Sequence, residues 1–124
     1  MPDGSKNVAV VDDDESVREA LPDLLRSFGL SVQAYSSAYA FLESDAPNTV
    51  DGLILDVAMP GMTGPELEVE LRGRARSVPV IFITAIADEK VRQRLIRGSA
   101  VTCLFKPFSD EELENALRLA ALIK

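Results

Sequence analysis

Five short apolar runs, each followed by a longer amphipathic segment, limit what this chain can fold into more than any other feature. Asn7-Val8-Ala9-Val10-Val11, Leu30 to Tyr35, Leu53-Ile54-Leu55, Pro79 to Ile83 and Thr102 to Phe105 are β-prone and too short for helices. Short strands joined by helical crossovers lie parallel, since antiparallel neighbours would be joined by hairpins. Right-handed crossovers put helices on both faces of the sheet, which predicts a doubly wound α/β/α sandwich of three layers. The 124 residues suffice for one such domain, and no linker, repeat or low-complexity stretch divides it. Residues 7–124 form the expected core and 1–6 an N-terminal tail.

The intervening segments predict five helices. Val17, Ala20, Leu21, Leu24, Leu25 and Phe28 recur at helical spacing, and Gly29 is a stop. Asp14 or Ser16 caps this first helix, Ser16 in a capping box with Glu19. Pro22 inside it predicts a bend or a weakened turn. Ser36 or Ser37 opens a short second helix through Leu42, which dissolves into the polar stretch Glu43 to Asn48. The loop Met59 to Gly64 leads into a third helix with Pro65 in its first turn and Leu67, Val69 and Leu71 for packing. Asp88 to Arg97 is amphipathic, with Val91, Leu95 and Ile96 inward and Gly98 as its stop. Ser109 caps the last helix, which packs through Leu113, Ala116, Leu117, Ala120 and Leu122.

In parallel sheets of this kind the chemistry collects beyond the carboxyl ends of the strands. Those ends carry Asp12 and Asp13, Asp56, Thr84 and Lys106. Each has an ordinary explanation alone: an Asp turns or caps, a strand-end Thr is common, and a Lys before Pro marks a turn. Their joint occurrence at four strand ends does not. Three converging carboxylates repel, so without compensation at least one pKa is raised. Mg²⁺ removes the conflict, because it takes oxygen ligands in an octahedron that carboxylates, a backbone carbonyl, water and a phosphoryl oxygen can complete. With its charge screened, Asp56 is a nucleophile toward a phosphoryl group, forming an aspartyl phosphate. Lys106 and Thr84 supply a point charge and a hydroxyl for the remaining phosphoryl oxygens.

Composition removes several other classes. A net charge of −7 and the lack of a basic patch argue against direct nucleic-acid binding. The single Cys103 excludes an internal disulfide and a multi-cysteine metal site, and fits a reducing compartment. The absence of histidine excludes imidazole acid–base chemistry, imidazole ligands and an internal phosphohistidine. No apolar run reaches membrane-spanning length and Met1 to Lys6 lacks a signal-peptide core, so no membrane contact and a cytoplasmic location are expected.

Four motifs carry a resemblance: Val11-Asp12-Asp13, Asp56-Val57-Ala58-Met59-Pro60-Gly61-Met62-Thr63-Gly64, Ile83-Thr84-Ala85 and Lys106-Pro107-Phe108. From Asn7 to Lys124 the chain resembles a response-regulator receiver domain of two-component signalling, in the CheY-like superfamily. The resemblance implies a flavodoxin-like sheet of order 2-1-3-4-5. It implies that Asp56 takes a phosphoryl group from a cognate histidine kinase, a phosphotransfer protein or a small donor. Asp13 and Asp56 would hold Mg²⁺ through carboxylate oxygens, Ala58 through its backbone carbonyl and Asp12 through water. Lys106 would contact the phosphoryl group, and its bond to Pro107 would be cis. Thr84 would swing toward the phosphoryl group and couple it to the face made by the fourth helix, fifth strand and last helix. An output domain, a partner or a second copy would read that face. Such a protein promotes its own phosphorylation and slow dephosphorylation but is not a turnover enzyme.

One position departs from the family pattern. Receivers usually carry Tyr or Phe three residues before the active-site Lys, and here that residue is Cys103. An aromatic rotamer switch is excluded there, because a thiol cannot fill or vacate the same volume. Phe105 shares the face of Cys103 by strand alternation and is read as packing. The alternative reading is therefore a receiver-like interaction scaffold uncoupled from phosphorylation. A flavodoxin-like cofactor binder would want a Gly/Ser/Thr-rich first loop in place of Asp12-Asp13-Asp14-Glu15. An aspartate-nucleophile phosphatase would want an Asp where Ala58 stands.

Overall fold

The computed structural model describes residues 5–74, 76–98 and 100–124; of the expected tail 1–6, residues 1–4 lie outside this range. The five apolar runs form strands β1 (Asn7–Val11), β2 (Ser31–Tyr35), β3 (Gly52–Asp56), β4 (Val80–Thr84) and β5 (Thr102–Phe105). All pair in parallel, in the order β2-β1-β3-β4-β5. Central β3 and β4 are buried along their whole length, as near-continuous apolar strands covered on both faces must be.

Six helices, not five, are found among the described residues: α1 (Glu15–Ser27), α2 (Ala38–Glu43), α3 (Ala46–Thr49), α4 (Gly64–Gly73), α5 (Glu89–Gly98) and α6 (Asp110–Leu119). The extra one, α3, is a single turn opened by Pro47 within the stretch that reads as polar in sequence. Its Ala46 and Pro47 are buried, and Arg76 ties it down, donating to Pro47 O at 2.9 Å and Val50 O at 2.5 Å. Tertiary packing stabilises a turn that periodicity does not announce.

Two apolar layers flank the sheet. Val8, Val10, Ile54, Ile81, Ile83 and Leu104 face α1 and α6, meeting Leu21, Leu25, Leu113 and Leu117. Ala9, Val11, Leu53, Leu55, Phe82 and Cys103 face the other way, with Phe41 of α2 and Leu67 and Leu71 of α4. Three sequence expectations change here. Asp14, not Ser16 with Glu19, caps α1, its carboxylate accepting from Ser16 N at 2.9 Å. Val69 is 58 % exposed, because Leu67 and Leu71, four apart, already fill the buried stripe of α4. Ile96 is exposed as well, and α5 buries no residue fully; its half-buried residues are Val91, Arg92 and Leu95. Helix α1 runs unbroken through buried Pro22.

The loop after β3 returns so tightly that Gly64, the first residue of α4, lies against the Asp56 carbonyl, and its N–H donates to Val57 O at 3.1 Å. A methyl group there would overlap Asp56 O and come within 3.1 Å of the Phe82 ring. Gly61, at φ 81, takes the left-handed turn of the same loop. Thr63 and Glu66 then close a capping box on α4. We expect Gly64→Ala to lower the urea-unfolding free energy by about 1–3 kcal/mol. Gly73→Ala, where nothing lies within 4 Å, is the control and should be neutral or stabilising by about 0.5 kcal/mol.

Candidate functional site

Parallel register decides what meets at the carboxyl end of the sheet. Val11 pairs with Leu55 and Asp56 with Ile83, so Asp12 and Asp56 end level on neighbouring strands. The carboxylates of Asp12, Asp13 and Asp56 offer oxygens that all lie within 4.8 Å of one another. Asp12 and Asp56 are buried, at 0 % and 6 % exposure, while Asp13 opens to solvent. Lys106 reaches in from beyond β5, its Nζ 2.8 Å from Asp12 Oδ2 and 3.6 Å from Asp56 Oδ1. Its peptide bond to Pro107 is cis, as the resemblance implies.

Asp12 is anchored through every polar group it has. Its N–H donates to Tyr35 O at 3.1 Å, and its Oδ1 accepts from Asp14 N at 2.9 Å. Its carbonyl accepts from Arg18 Nη1 at 3.0 Å. Sequence reasoning passes over Arg18, although helical side chains lean toward the N-terminus and so toward the loop after β1. Thr84 is buried at the end of β4, where its Oγ1 accepts from Ile86 N at 3.1 Å. Ala58 lies exposed in the loop two residues past Asp56, and Ile86 is 65 % exposed.

The electrostatics follow from this crowding. Burial, and then the Asp12 charge, push the Asp56 carboxyl up to about 7 from an ordinary 3.8; Lys106 opposes them without prevailing. For Lys106, burial works against the charged form, but the hydrogen bond to Asp12 and the charges of Asp12 and Asp56 outweigh it and raise the pKa. Three carboxylates against one ammonium leave two unmatched negative charges, the charge of one divalent cation. The donors are hard oxygens, with one of the three carboxylates open to solvent. That set fits Mg²⁺.

Cys103 is buried on the α5 side of β5, 2 % exposed, with no second cysteine in the chain. Burial raises its thiol pKa; nearby Arg92 pulls it down and Glu89 pushes it up. Arg92 of α5 donates from Nε to Cys103 O at 3.0 Å and lies 5.9 Å from the Phe105 ring centroid. The volume an aromatic at 103 would claim is thus bordered by a guanidinium that binds the backbone of β5 and covers Phe105.

The fold and the acidic site together define a class, and comparison with known proteins agrees. The model of the response regulator receiver domain matches residues 8–118, and the chain belongs to that family. The response regulator protein TodT of Pseudomonas putida is 40% identical over 120 residues, 97% of this chain and 53% of its own length. Nodulation protein W of Bradyrhizobium diazoefficiens is 43% identical over 110 residues, 89% of this chain and 48% of its own. The chain therefore spans about half the length of these curated relatives. Among solved structures, a response regulator receiver protein from Burkholderia phymatum superposes with a TM-score of 0.82 at 40% identity, covering 97% of this chain and 98% of that one. The chain is a receiver domain of the two-component type, and the uncoupled scaffold is not the favoured reading. Among the described residues no helix is long and apolar enough to cross a membrane.

A carboxyl whose pKa folding raises holds its proton more tightly in the native state. Its contribution to stability therefore falls as pH climbs from about 4 to about 7, and stays low above that. In Mg²⁺-free buffer at pH 8, Asp56→Asn should accordingly unfold later in urea than the wild type, by on the order of 2–4 kcal/mol. At pH 4 the difference should shrink. Millimolar Mg²⁺ at pH 8 should stabilise the wild type more than the variant.

Proposed function

We propose that Asp56 accepts the phosphoryl group of a two-component phosphorelay, and that the phosphorylated site biases the face made by α5, β5 and α6. The observation that carries this reading is the meeting of Asp12, Asp13, Asp56 and Lys106 at one end of the sheet. An Asp56 carboxylate oxygen attacks the phosphorus of the donor. The new O–P bond forms as the bond to a phosphohistidine nitrogen or an acyl oxygen breaks, and the leaving group keeps the electron pair. Asp13 and Asp56 would hold Mg²⁺ through carboxylate oxygens, with the Ala58 carbonyl, and Asp12 through water. The ion would supply positive charge to the carboxylates and to the phosphoryl oxygens.

The chain's own residues do the rest. Lys106 keeps N–H donors beyond those it spends on Asp12, and these meet a phosphoryl oxygen. Thr84 accepts from Ile86 N through Oγ1, so its own O–H is available to donate. Turning that hydroxyl toward the phosphoryl group moves the end of β4, which accepts the Lys106 N–H at 2.7 Å through Thr84 O. The added charge favours the conformation that satisfies it, and the balance of two states shifts. Residues 7–124 act as one receiver unit in this account. Phosphoryl donors are a cognate histidine kinase or phosphotransfer protein, and an output domain, a partner or a second copy reads the α5-β5-α6 face. The site of action is cytoplasmic.

Acetyl phosphate with Mg²⁺, followed by intact mass, is the direct test. One phosphoryl adduct is expected on the wild type and none on Asp56→Asn; an unmodified wild type overturns the proposal. Because Ala58 and Ile86 offer no polar group to orient a water, the adduct should decay slowly, which a phosphate-release assay times. Beryllofluoride with Mg²⁺ should change amide shifts over Asp88 to Phe105. The change should be smaller than a full two-state transition, and over α5 smaller still in Arg92→Ala, which removes the contacts of α5 with Cys103 O and the Phe105 ring.

A further inference from the structure

We propose that Arg18 is a positioning residue for the metal-binding acidic pair, acting through the backbone between Asp12 and Asp13. The inference rests on the phosphoacceptor reading above and assigns a role to a side chain outside the acidic cluster.

Arg18 lies in the first turns of α1, half-buried, and its side chain reaches back over the loop after β1. Acidic side chains surround it in sequence: Asp13, Asp14, Glu15 and Glu19. Among the described residues it nevertheless makes no ion pair, and its Nη1 donates to the Asp12 carbonyl at 3.0 Å. That carbonyl and the Asp13 N–H belong to one rigid peptide plane, so fixing the first orients the second. The Asp12 carboxylate does not depend on Arg18, since Lys106 and the Asp14 N–H hold it separately. The plane entering Asp13 does depend on it. Asp13 is the exposed member of the three and carries the carboxylate expected to ligate directly, so a wandering plane would be felt first in cation binding.

Two effects of losing Arg18 have opposite signs, which makes the idea testable. Removing a cation from the first turns of the helix behind Asp12 and Asp13 would, by charge alone, tighten binding of Mg²⁺. Losing a group that orients a ligand's backbone would weaken it, as removal of outer-shell partners of metal sites does. Among the described residues the Arg18 guanidinium pairs with no carboxylate, and its contact at the site is with the neutral Asp12 carbonyl. Positioning should therefore prevail.

The test is Mg²⁺ titration of wild type, Arg18→Met and Arg18→Lys, followed by amide shifts, alongside the Mg²⁺ dependence of acetyl phosphate labelling. Arg18→Met keeps an apolar stem and removes the donor. It should weaken Mg²⁺ by about tenfold and raise the Mg²⁺ concentration for half-maximal labelling in parallel, with the maximal rate largely held. Arg18→Lys, with a cationic donor on a shorter stem, should recover part of the loss. Unchanged or tighter Mg²⁺ binding in Arg18→Met overturns the proposal, as does an Arg18→Lys as weak as Arg18→Met. Should Arg18→Met fail to fold, the Lys variant decides: Mg²⁺ binding within about threefold of wild type supports positioning, and a larger loss overturns it. If the wild type binds Mg²⁺ yet never accepts phosphate, the phosphoacceptor reading falls while the titrations still judge Arg18.

Discussion

Like charges held together at the end of a parallel sheet are the constraint from which the rest of this molecule follows. Asp12 and Asp56 end level on adjacent strands because β1 and β3 are paired in parallel, and burial removes the water that would screen them. Burial first, and then the Asp12 charge, push the Asp56 carboxyl up to about 7, and the Lys106 ammonium offsets only part of this. The native state is thus strained in favour of whatever brings positive charge to that spot. On the proposed function a divalent cation would do so, and an arriving phosphoryl group would bring oxygens for that cation, Lys106 and Thr84 to share. The apolar layers of the sheet hold the electrostatic imbalance in place.

Much of this was legible in the sequence, and the reason is geometric. In a parallel sheet every strand delivers its last residue to the same edge, so strand-end residues become neighbours without knowledge of side-chain packing. Asp12, Asp13, Asp56, Thr84 and Lys106 could be gathered on that ground, and the openings of α2, α4 and α6 follow from Ser37, Pro65 and Ser109. What escaped needed three dimensions. Helix α3 exists because Arg76, far along the chain, satisfies its carbonyls. Val69 and Ile96 have the right chemistry for burial but fall on faces that neighbouring residues had already filled or that no element covers. Between Asp14 and Ser16, both competent caps, the choice depends on a backbone angle at Asp14 that composition does not encode.

The same distinction separates the acidic residues from the arginines. A carboxylate at a strand end announces itself by position. Arg18 and Arg92 act through backbone carbonyls, of Asp12 and Cys103 respectively, and a carbonyl is present at every residue. No sequence pattern marks which one a guanidinium will choose. Both arginines lie on helices flanking the site, and each pins one peptide of a strand or strand-end loop.

That placement bears on how a receiver lacking an aromatic at 103 could still transmit. Thr84 and Phe105 are register partners at the ends of β4 and β5, and Thr84 O accepts the N–H of Lys106 just beyond. A displacement of Thr84 would therefore reach the backbone of 105 and 106 directly. Phe105 lies under the Arg92 guanidinium, and that guanidinium also holds the Cys103 carbonyl, so α5 is linked to β5 through polar and cation–π contacts. Such contacts are weaker and more solvent-sensitive than a buried ring exchanging between two cavities. Transmission through them would be graded, because a hydrogen bond and a cation over a ring can lengthen by degrees, whereas a close-packed ring must occupy one cavity or the other. With a thiol at 103, the contacts of the Arg92 guanidinium with Cys103 O and the Phe105 ring take the place of a buried ring between β5 and α5.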